Sequence, residues 1–576
     1  MSQVINSNHL LENFEKHIKV IAGPGAGKTH WLALNIKNVL HNSTRLGKTR
    51  QIACITHTNT AVETLLSRLE TSKDAVLVST IHSFLYQHVV KPYISFIADE
   101  VGFNSSNLQG HDDIKVSRRQ VEWWLEQHPN KYKLKHPFSK NQLINLPNNL
   151  SALKNWLMTL NFQLDGQNNI YLQHNKSAAY YIDSNNRKYL SAGAITLLQT
   201  DLMSFKKSYW SKGRMSHDDV LFFSFKIINK YPFVLDILRS KFPYFYIDEF
   251  QDSHPIQIAI LKLLAEKETI IGIIGDSAQA IYEFQGADAS QLLNFNIDKM
   301  HTYIIEDNRR SSNEIVIFLN QLRLDLKQKP LRGYQGEKPL LIVGDVKKCL
   351  SYIVDIKGHS NLITLSRDNQ TVNYLKELGN SNSPNSNLLE RMKSEDKTSK
   401  RWITLISYMI SIEYSIKNNF KKSLSEIINQ IPDQRTALKT IFKLSSQYSS
   451  FKNISLLNFI KILKENYNVD IAMPTSGTAK TFYSQILYSD LAICLYLEND
   501  NTQHKTIHKS KGEEFDNVLV IEKEIDYLTS FDINNEEHRI RYVAVSRTKD
   551  NLFISVPSLD NNLKIAISQR IQILEV

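Results

Sequence analysis

The residues with the clearest chemical potential form a glycine-rich segment near the start of the chain. It reads I-A-G-P-G-A-G-K-T over residues 21–29. In such a loop the backbone N–H groups converge on phosphate oxygens, the lysine places a cation at the terminal phosphates, and the threonine hydroxyl is a ligand for Mg²⁺. The segment therefore predicts a site for a nucleoside triphosphate and Mg²⁺; an ordinary strand-to-helix turn is the alternative. The residues predicted to form the site are Ala22, Gly23, Pro24, Gly25, Ala26, Gly27, Lys28 and Thr29.

A pair of carboxylates further along the chain supplies the second part of such a site. Asp248 and Glu249 directly follow the apolar run at 245–247. A carboxylate at the end of a buried parallel strand lies at the sheet edge where a phosphate loop also lies. Asp248 is therefore predicted to bind Mg²⁺ together with Thr29, and Glu249 to polarise the attacking water. The alternative is an acidic turn that caps the next helix.

The segment D-E-F-Q-D at 248–252 resembles motif II of the UvrD/Rep-like superfamily 1A helicases. Six further segments resemble other motifs of that family, in the family's order and from one end of the chain to the other: T-H-T-N-T-A at 56–61, T-I-H-S-F at 80–84, G-D-S-A-Q-A-I-Y-E-F-Q-G-A at 275–287, N-R-R-S at 308–311, T-I-H-K-S-K-G-E-E-F at 506–515 and Y-V-A-V-S-R-T at 542–548. The resemblance implies an α/β fold of two RecA-like P-loop NTPase lobes. Each lobe is expected to be a parallel sheet flanked by helices and to carry a mostly helical inserted domain.

The resemblance also implies roles for residues outside the phosphate loop. Gln279 follows an apolar strand predicted at 271–274, and its amide is expected to sense the γ-phosphate of ATP. Arg310 and Arg547 are expected to stabilise the charge on the transferring phosphoryl group. These three residues and Glu249 are the catalytic candidates. Glu514 resembles the glutamate that contacts the ribose.

Single-stranded DNA is the partner that the resemblance implies. The family stacks bases on aromatic side chains, because every base has a π face and stacking tolerates any sequence. Phe284 is the leading stacking candidate and Tyr282 the second; a buried core position is the alternative for each. The residues predicted to contact DNA are Thr56, His57, Asn59, His82, Phe84, Tyr282, Phe284 and His508.

Three departures from the family pattern fall on the residues that read the base. His30 follows Thr29 where the family has arginine, and Arg309 replaces a tyrosine. The adenine-reading glutamine that precedes the phosphate loop is not identifiable, although Gln3 and Asn8 lie nearby. Since a guanidinium plane can stack on a base, Arg309 is predicted to contribute to nucleotide binding, and His30 with it. We expect weaker discrimination of ATP from GTP than is usual in the family.

Composition agrees with a nucleic-acid partner. The 576-residue chain has a formal net charge of +11, and a basic excess favours a polyanion. Its three cysteines, Cys54, Cys349 and Cys494, are too far apart in sequence for a local metal site. No secretory or membrane-spanning segment is evident, so the chain is expected in a reducing cytoplasm.

The spacing of the segments predicts the domain organisation. The first lobe is expected at 1–92 and 204–300, with an inserted domain at 93–203. The second lobe is expected at 301–378 and 490–576, with a second inserted domain at 379–489. The inserted domain starts at a polar linker over 379–387, and its apolar residues at 402, 405, 406, 409 and 410 have helical spacing. The alternating residues 362–367 predict a strand of the second lobe.

Two functions of different classes fit these patterns. The first is an ATP-dependent DNA helicase or translocase, moving from 3′ to 5′ on single-stranded DNA or a tailed duplex. The second is a DNA-responsive NTPase that regulates a separate nuclease subunit. The helicase-like subunit of Gabija-type phage-defence systems is such a protein, and the chain resembles it in size and in the loop G-P-G-A-G-K-T. A nucleotide-dead scaffold is disfavoured because the predicted catalytic side chains are all present.

Overall fold

The structure is a computed structural model that describes most of the chain. The described residues are 2–69, 74–114, 116, 118–136, 143, 147–183, 186–283, 286, 289–358, 362–378, 388–417, 419–427, 430–431, 433–495 and 503–576. The predicted linker at 379–387 and the predicted stacking residue Phe284 lie outside them. The chain forms two compact units. The first unit comprises Met1–Gly344, Ser510–Val518 and Lys523–Val576, and the second comprises Asp345–Lys509 and Leu519–Glu522.

The first unit is built on a parallel sheet. The strands of its N-terminal part are β1 Gln3–Ile5, β2 Ile18–Ala22, β3 Ile52–Thr56, β4 Val76–Thr80, β5 Asn161–Leu164, β6 Ile170–Gln173, β7 Tyr180–Asp183, β8 Asn186–Tyr189, β9 Tyr244–Ile247, β10 Ile270–Gly275, β11 His301–Ile305, β12 Asp307–Asn308, β13 Lys329–Pro330 and β14 Leu340–Val343. Seven of them form one sheet in the order β1-β11-β2-β10-β9-β3-β4. Every neighbouring pair in it is parallel. The strand predicted at 271–274 is confirmed as part of β10.

The same part of the chain contains fifteen described α-helices. They are α1 Lys28–Asn42, α2 Asn59–Leu69, α3 Ile81–Leu85, α4 Lys91–Tyr93, α5 Ala98–Val101, α6 Arg118–Gln127, α7 Lys131–Lys135, α8 Pro147–Leu157, α9 Ala192–Gln199, α10 Leu202–Trp210, α11 His217–Lys230, α12 Phe233–Lys241, α13 Pro255–Ala265, α14 Gln291–Asn294 and α15 Asn313–Leu322. Strand β9 shows how the two faces are separated. Tyr244 and Tyr246 pack with the apolar residues of α1, whereas Phe245 and Ile247 pack with those of α11 and α13. Successive side chains of a strand point to opposite faces, so a fully apolar strand indicates a sheet covered on both sides.

The segment between β4 and β9 contains helices α3 to α12 and two antiparallel hairpins, β5 with β6 and β7 with β8. The hairpins are an addition to the mostly helical domain predicted there. Trp124 and Trp156 are fully buried within this segment. Helix α10 extends across the boundary predicted between residues 203 and 204.

The second unit is mostly helical. Its helices are α16 Val346–Lys357, α17 Asn369–Leu378, α18 Leu388–Glu395, α19 Ser399–Ile416, α20 Phe420–Ile427, α21 Gln434–Ser446, α22 Tyr448–Phe451, α23 Leu456–Tyr467, α24 Gly477–Gln485 and α25 Tyr488–Ile493, and its parallel strands are β15 Leu362–Ser366 and β16 His504–Thr506. The strand predicted at 362–367 is therefore confirmed. The helical spacing over 402–410 is also confirmed, since those residues lie in α19. Tyr408, Met409 and Ile412 of this helix lie in the apolar core of the unit.

The chain closes with β17 Phe515–Ile521, α26 Glu536–Val545, β18 Thr548–Val556, α27 Asn561–Ile567 and β19 Gln572–Glu575. In the first unit β14 lies between β18 and β19, and both pairs are parallel. The architecture is thus the predicted α/β class, with parallel sheets flanked by helices. Within the described part of the chain, every helix is too short or too polar to cross a membrane.

Candidate nucleotide and DNA site

The glycine-rich loop connects the end of β2 to the start of α1, as its sequence predicts. Gly25 and Gly27 have φ angles of 68° and 80°. This left-handed region is open to glycine at little cost. A Cβ on Gly25 would also lie 2.7 Å from both Asn308 Oδ1 and Arg310 Cβ. The loop therefore needs glycine for both its backbone conformation and its close packing.

The loop is held from outside by two amide side chains. Gln328 Nε2 donates to Pro24 O at 2.9 Å, and Asn308 Nδ2 donates to the same carbonyl at 3.1 Å. The main chain adds a bond from Arg309 N to Gly25 O at 2.9 Å. These contacts fix the loop without using the N–H groups that a phosphate would accept from. Gln328 has no signal in the sequence, because it belongs to none of the quoted segments.

Lys28 and Thr29 begin α1 and lie beside the carboxylates that follow β9. Lys28 Nζ is 3.4 Å from Ala22 O and 3.9 Å from Glu249 Oε1. Thr29 Oγ1 donates to Asp248 Oδ2 at 3.4 Å. The phosphate loop and the predicted carboxylates therefore meet at one edge of the sheet.

Asp248 and Thr29 present the oxygen ligands that Mg²⁺ prefers. Asp248 is buried, and its N–H donates to Ile55 O at 2.8 Å, which holds the residue at the end of β9. Burial and the adjacent Glu249 carboxylate raise the pKa of Asp248 to about 7. A divalent cation would supply the positive charge that favours the ionised carboxylate, so these residues fit Mg²⁺.

Glu249 differs from Asp248 in the direction of its pKa shift, and its backbone conformation is unusual. Its φ angle is 52°, an uncommon value for a residue with a side chain, and Gln251 Nε2 donates to its carboxylate at 2.5 Å. Burial opposes its ionisation, but Lys28 and Lys511 together lower the pKa of Glu249 to about 2. An ionised carboxylate beside the phosphate loop has the charge required to polarise water.

Gln279 and Arg547 contact each other directly. Gln279 follows β10 in a 3₁₀ turn, and its Nε2 donates to Asp276 Oδ2 at 2.6 Å. Arg547 Nη2 donates to Gln279 Oε1 at 2.8 Å. Arg547 is 2% exposed. Burial and the Arg310 guanidinium lower the pKa of Arg547 to about 9, so it stays protonated at neutral pH.

Arg310 is anchored by the residue predicted to contact ribose. Its Nη2 donates to Glu514 Oε1 at 2.6 Å, and its Nη1 donates to Ser546 O at 3.0 Å. Although burial opposes ionisation, Arg310 holds the pKa of Glu514 below its ordinary value. The structure therefore brings Arg310 and Glu514 to the same place as Arg547.

The residues at the predicted base-reading positions lie on one side of the loop. His30 Nε2 and Asn8 Oδ1 are 3.0 Å apart, and Arg309 Nε donates to Ser7 Oγ at 2.7 Å. Ser7 also donates from its N–H and its hydroxyl to Asp307 Oδ2, at 2.9 Å each. Burial and nearby arginines lower the pKa of His30, which keeps it neutral at physiological pH. Gln3, the other candidate, lies in β1.

The predicted DNA residues of the first unit are only partly brought together. His57 stacks on Tyr282 with ring centroids 4.7 Å apart and an interplanar angle of 19°. Lys511 Nζ lies 4.8 Å from the centre of the Tyr282 ring. Thr56 is buried at the end of β3, and its hydroxyl donates to Thr58 O at 3.2 Å. Asn59 begins α2, and its side chain lies outside the described residues.

His82 and Phe84 lie in the helix that follows β4. His82 is half-buried, and its ring centroid is 5.2 Å from that of His217. Burial and the neighbouring histidines lower the pKa of His82 to about 3. Phe84 is 1% exposed and packs against Phe242 and Phe245. The ring of Phe84 is thus enclosed in the core, and its contact with DNA stays a prediction.

The last DNA candidate, His508, belongs to the second unit. It starts the 3₁₀ turn His508–Ser510 and is half-buried. Its DNA role stays a prediction.

Lys511 is the functional candidate that sequence reasoning missed. Its Nζ is 2.5 Å from Asp252 Oδ2 and donates to Gln279 O at 2.7 Å. It therefore touches the carboxylate segment, the Gln279 turn and the Tyr282 ring at once. Its signal in the sequence was its place inside the segment at 506–515.

Family models agree with this arrangement. The model described as the UvrD/REP helicase N-terminal domain matches residues 6–300, and the model described as the UvrD-like helicase C-terminal domain matches residues 505–555. The chain belongs to the UvrD/REP helicase family. Its fold is accordingly the α/β fold of a UvrD-like helicase.

Individual relatives of this UvrD/REP family member are distant in sequence. The Gabija protein GajB of Bacillus cereus (strain HuB5-5) is 26% identical over 83% of this chain and 73% of its own length. The ATP-dependent DNA helicase PcrA of Staphylococcus aureus (strain Mu50) is 23% identical over 59% of this chain and 58% of its own length. PcrA of Bacillus subtilis (strain 168) is 25% identical over 53% of this chain and 37% of its own length. The match thus spans less than two thirds of each PcrA.

Proposed function

We propose that the protein is an ATP-dependent DNA translocase and helicase of the UvrD type that moves from 3′ to 5′ on single-stranded DNA. One observation carries the proposal: the phosphate loop, Asp248 and Glu249 meet at one sheet edge, and the Gln279 amide there accepts a hydrogen bond from Arg547. Membership of the UvrD/REP helicase family supports the same activity.

The chemistry follows from the charges around the loop. Mg²⁺ held by Thr29 and Asp248 would neutralise phosphate charge and orient the terminal phosphates. Lys28 adds a fixed cation at the same end of the loop. Glu249, kept ionised by its cationic neighbours, polarises the attacking water. Arg547 and Arg310 stabilise the charge that spreads over the phosphoryl oxygens in the transition state.

The base site is expected to be permissive. Arg309 and His30 present a guanidinium plane and a neutral imidazole on the base side of the loop. Both can stack on any purine, and stacking by itself does not distinguish adenine from guanine. ATP is the proposed substrate, and its discrimination from GTP is expected to be weaker than is usual in the family.

Movement on DNA requires that the nucleotide site be linked to a surface that grips bases. The His57–Tyr282 stack is the described part of that surface, and Lys511 contacts both Tyr282 and the Gln279 turn. Base stacking on aromatic side chains tolerates any sequence, which suits a motor that advances along DNA.

A duplex with a single-stranded tail tests the proposal. The purified chain should separate a duplex with a 3′ tail in the presence of ATP and Mg²⁺ and should leave a 5′-tailed duplex intact. The variant Lys28→Ala should separate neither, and Lys37→Ala on the same helix serves as its control. Equal separation of both duplexes would contradict the polarity, and separation by Lys28→Ala would contradict the role of the loop.

A second function is favoured by the similarity to the Gabija protein GajB, which covers 83% of this chain. In this alternative the protein is a DNA-responsive NTPase that regulates a separate nuclease subunit in phage defence and unwinds DNA poorly by itself. Size-exclusion chromatography with a candidate nuclease distinguishes the two. Stable co-elution, with strong hydrolysis but weak unwinding by the isolated chain, would favour the alternative.

We also propose a cytoplasmic location. Its support is that all three cysteines are free and buried, as is usual in a reducing compartment. Alkylation of all three thiols in denatured protein taken from cells, without prior reduction, would agree with this location. Disulfide-linked cysteines in the same experiment would contradict it.

A further inference from the structure

A buried arginine joins helix α26 to the turn that carries Gln279. Arg539 is 0% exposed and donates through three nitrogens. Its Nε donates to Ala280 O at 2.6 Å, its Nη1 donates to Ile533 O at 2.7 Å, and its Nη2 pairs with the Glu283 carboxylate. Two of these three acceptors, Ala280 and Glu283, lie on either side of the stacking residue Tyr282 in the sequence.

A second contact ties the same segment to the start of the helix. Glu283 N–H donates to Glu536 Oε1 at 3.2 Å, and Glu536 is the first residue of α26. Residues 280–283 are thus attached to the N-terminal half of α26 by main-chain and side-chain bonds. Tyr282 lies inside this tethered stretch.

The C-terminal end of α26 leads to Arg547, which is predicted to stabilise the transferring phosphoryl group. The helix ends at Val545, and Arg547 two residues later donates to Gln279 Oε1. At 1.5 Å per residue an α-helix of this length is about 15 Å long. Helix α26 therefore leads to Arg547 at its C-terminal end, and its N-terminal half holds residues 280–283, which include Tyr282.

The hydrogen bonds of Arg539 are those of a tether between segments of the chain. A planar guanidinium offers several donors in a fixed fork, so it can hold two carbonyl groups and a carboxylate at once. Lysine is a point charge on a flexible stem and would keep at most part of this geometry. In the described structure the hydrogen bonds of Arg539 go to Ala280, Ile533 and Glu283, none of which is a predicted nucleotide contact.

We infer that Arg539 is a positioning residue that links the nucleotide site to the DNA-gripping stack of His57 and Tyr282. This inference rests on the proposed function and goes beyond it by naming the connection. When Arg547 and Gln279 move with the state of the nucleotide, α26 carries that movement through Arg539 and Glu283 to Tyr282. In the reverse direction, DNA on Tyr282 biases the position of Arg547.

The test compares ATP hydrolysis with and without a thymidine oligonucleotide in four proteins: wild type, Arg539→Gln, Glu283→Gln and Arg541→Gln. Arg541 lies on the same helix and pairs with Asp526, so its replacement is a matched loss of one guanidinium. The basal kcat and the KM for ATP should stay within about twofold in all variants, whereas stimulation by DNA should fall about fivefold or more in Arg539→Gln and Glu283→Gln. Arg541→Gln should keep the wild-type stimulation.

Glu283→Gln keeps the inference testable if Arg539→Gln does not fold. The Glu283 side chain is 39% exposed, so its neutral isostere leaves the core intact even if Arg539→Gln does not fold. The double variant should lose no more stimulation than either single variant, because both changes break the same link. Loss of DNA stimulation with an unchanged basal kcat and KM is the result that a merely structural anchor would not give.

Each outcome decides the inference. Wild-type stimulation in Glu283→Gln, or in a folded Arg539→Gln, would overturn the inference and leave the proposed function standing. Equal loss in Arg541→Gln would also overturn it, since the effect would then belong to the helix in general. A wild-type protein that hydrolyses ATP without any response to DNA would overturn both the proposed function and the link.

Discussion

The phosphate end and the aromatic end of the first unit are built in different ways. At the phosphate end, charged side chains are hydrogen-bonded to partners distant in sequence: Arg310 to the Glu514 carboxylate and Arg547 to the Gln279 amide oxygen. At the aromatic end, the described contact between His57 and Tyr282 is a parallel stack. Hydrogen bonds of charged side chains fix the geometry of a site closely, so the removal of one partner has a large effect on activity. Stacking tolerates any base and contributes less binding energy per contact.

The largest expected effect is at the phosphate end. Arg547→Ala should lower kcat by about 10³-fold or more, because it removes a cation that stabilises transition-state charge. Arg541→Ala, in the helix α26 that precedes Arg547, should leave kcat near the wild-type value. Steady-state hydrolysis measures both, with thermal melting to show that the variants fold. An Arg547→Ala protein of nearly normal kcat would remove the proposed distinction between the two ends.

A smaller effect is expected at the aromatic end. Tyr282→Leu should weaken binding of single-stranded DNA about tenfold, which corresponds to the loss of one base stack. Basal hydrolysis without DNA should change little, because the ring contacts described for Tyr282 are with His57 and Lys511 and not with the phosphate loop. Fluorescence anisotropy with a labelled oligonucleotide measures the affinity. Unchanged affinity would place the stacking surface elsewhere.

Phe84 provides the matched comparison for Tyr282. Phe84→Leu should cost about 1 kcal/mol of folding stability, because a leucine fills a core site for phenylalanine imperfectly. DNA affinity should stay at the wild-type value, since the ring is enclosed. Denaturant unfolding gives the first quantity and anisotropy the second. If Phe84→Leu weakened DNA binding as much as Tyr282→Leu, the core assignment of Phe84 would be contradicted.

The smallest expected effect concerns the base. The ratio of the KM values for GTP and ATP should lie below about tenfold, because stacking on Arg309 does not distinguish purines as a set of matched hydrogen bonds does. Hydrolysis of the four nucleoside triphosphates at equal Mg²⁺ gives the ratio. Equal KM values would support a permissive site. A strict requirement for ATP would show that the departures at His30 and Arg309 leave base reading intact.

The parts that the sequence predicted well are those in which chemistry fixes the residue type. A phosphate loop needs glycine at positive φ, and Gly25 and Gly27 have it. Asp248 follows an apolar strand, and the structure places it beside Thr29. The α/β class and the strands at 271–274 and 362–367 followed from apolar runs and alternation.

The parts that the sequence did not predict depend on packing between distant segments. Phe84 sits in a quoted segment, yet tertiary packing places it in the core. Gln328 holds Pro24 from more than 300 residues away, and the local sequence around it carries no pattern. The two hairpins at 161–189 were missed because their alternation is weak. The domain boundaries, and the DNA roles of the residues in the first and second units, stay predictions.

The most direct test of the account is ATP hydrolysis by the purified chain with and without single-stranded DNA, with Glu249→Gln as the control. We expect strong stimulation of hydrolysis by DNA. In Glu249→Gln we expect kcat to fall about 10²- to 10⁴-fold with nucleotide binding retained, because an amide cannot accept a proton from water. Hydrolysis that DNA does not stimulate, or that persists in Glu249→Gln, would contradict the proposal that nucleotide hydrolysis at this sheet edge drives movement on DNA.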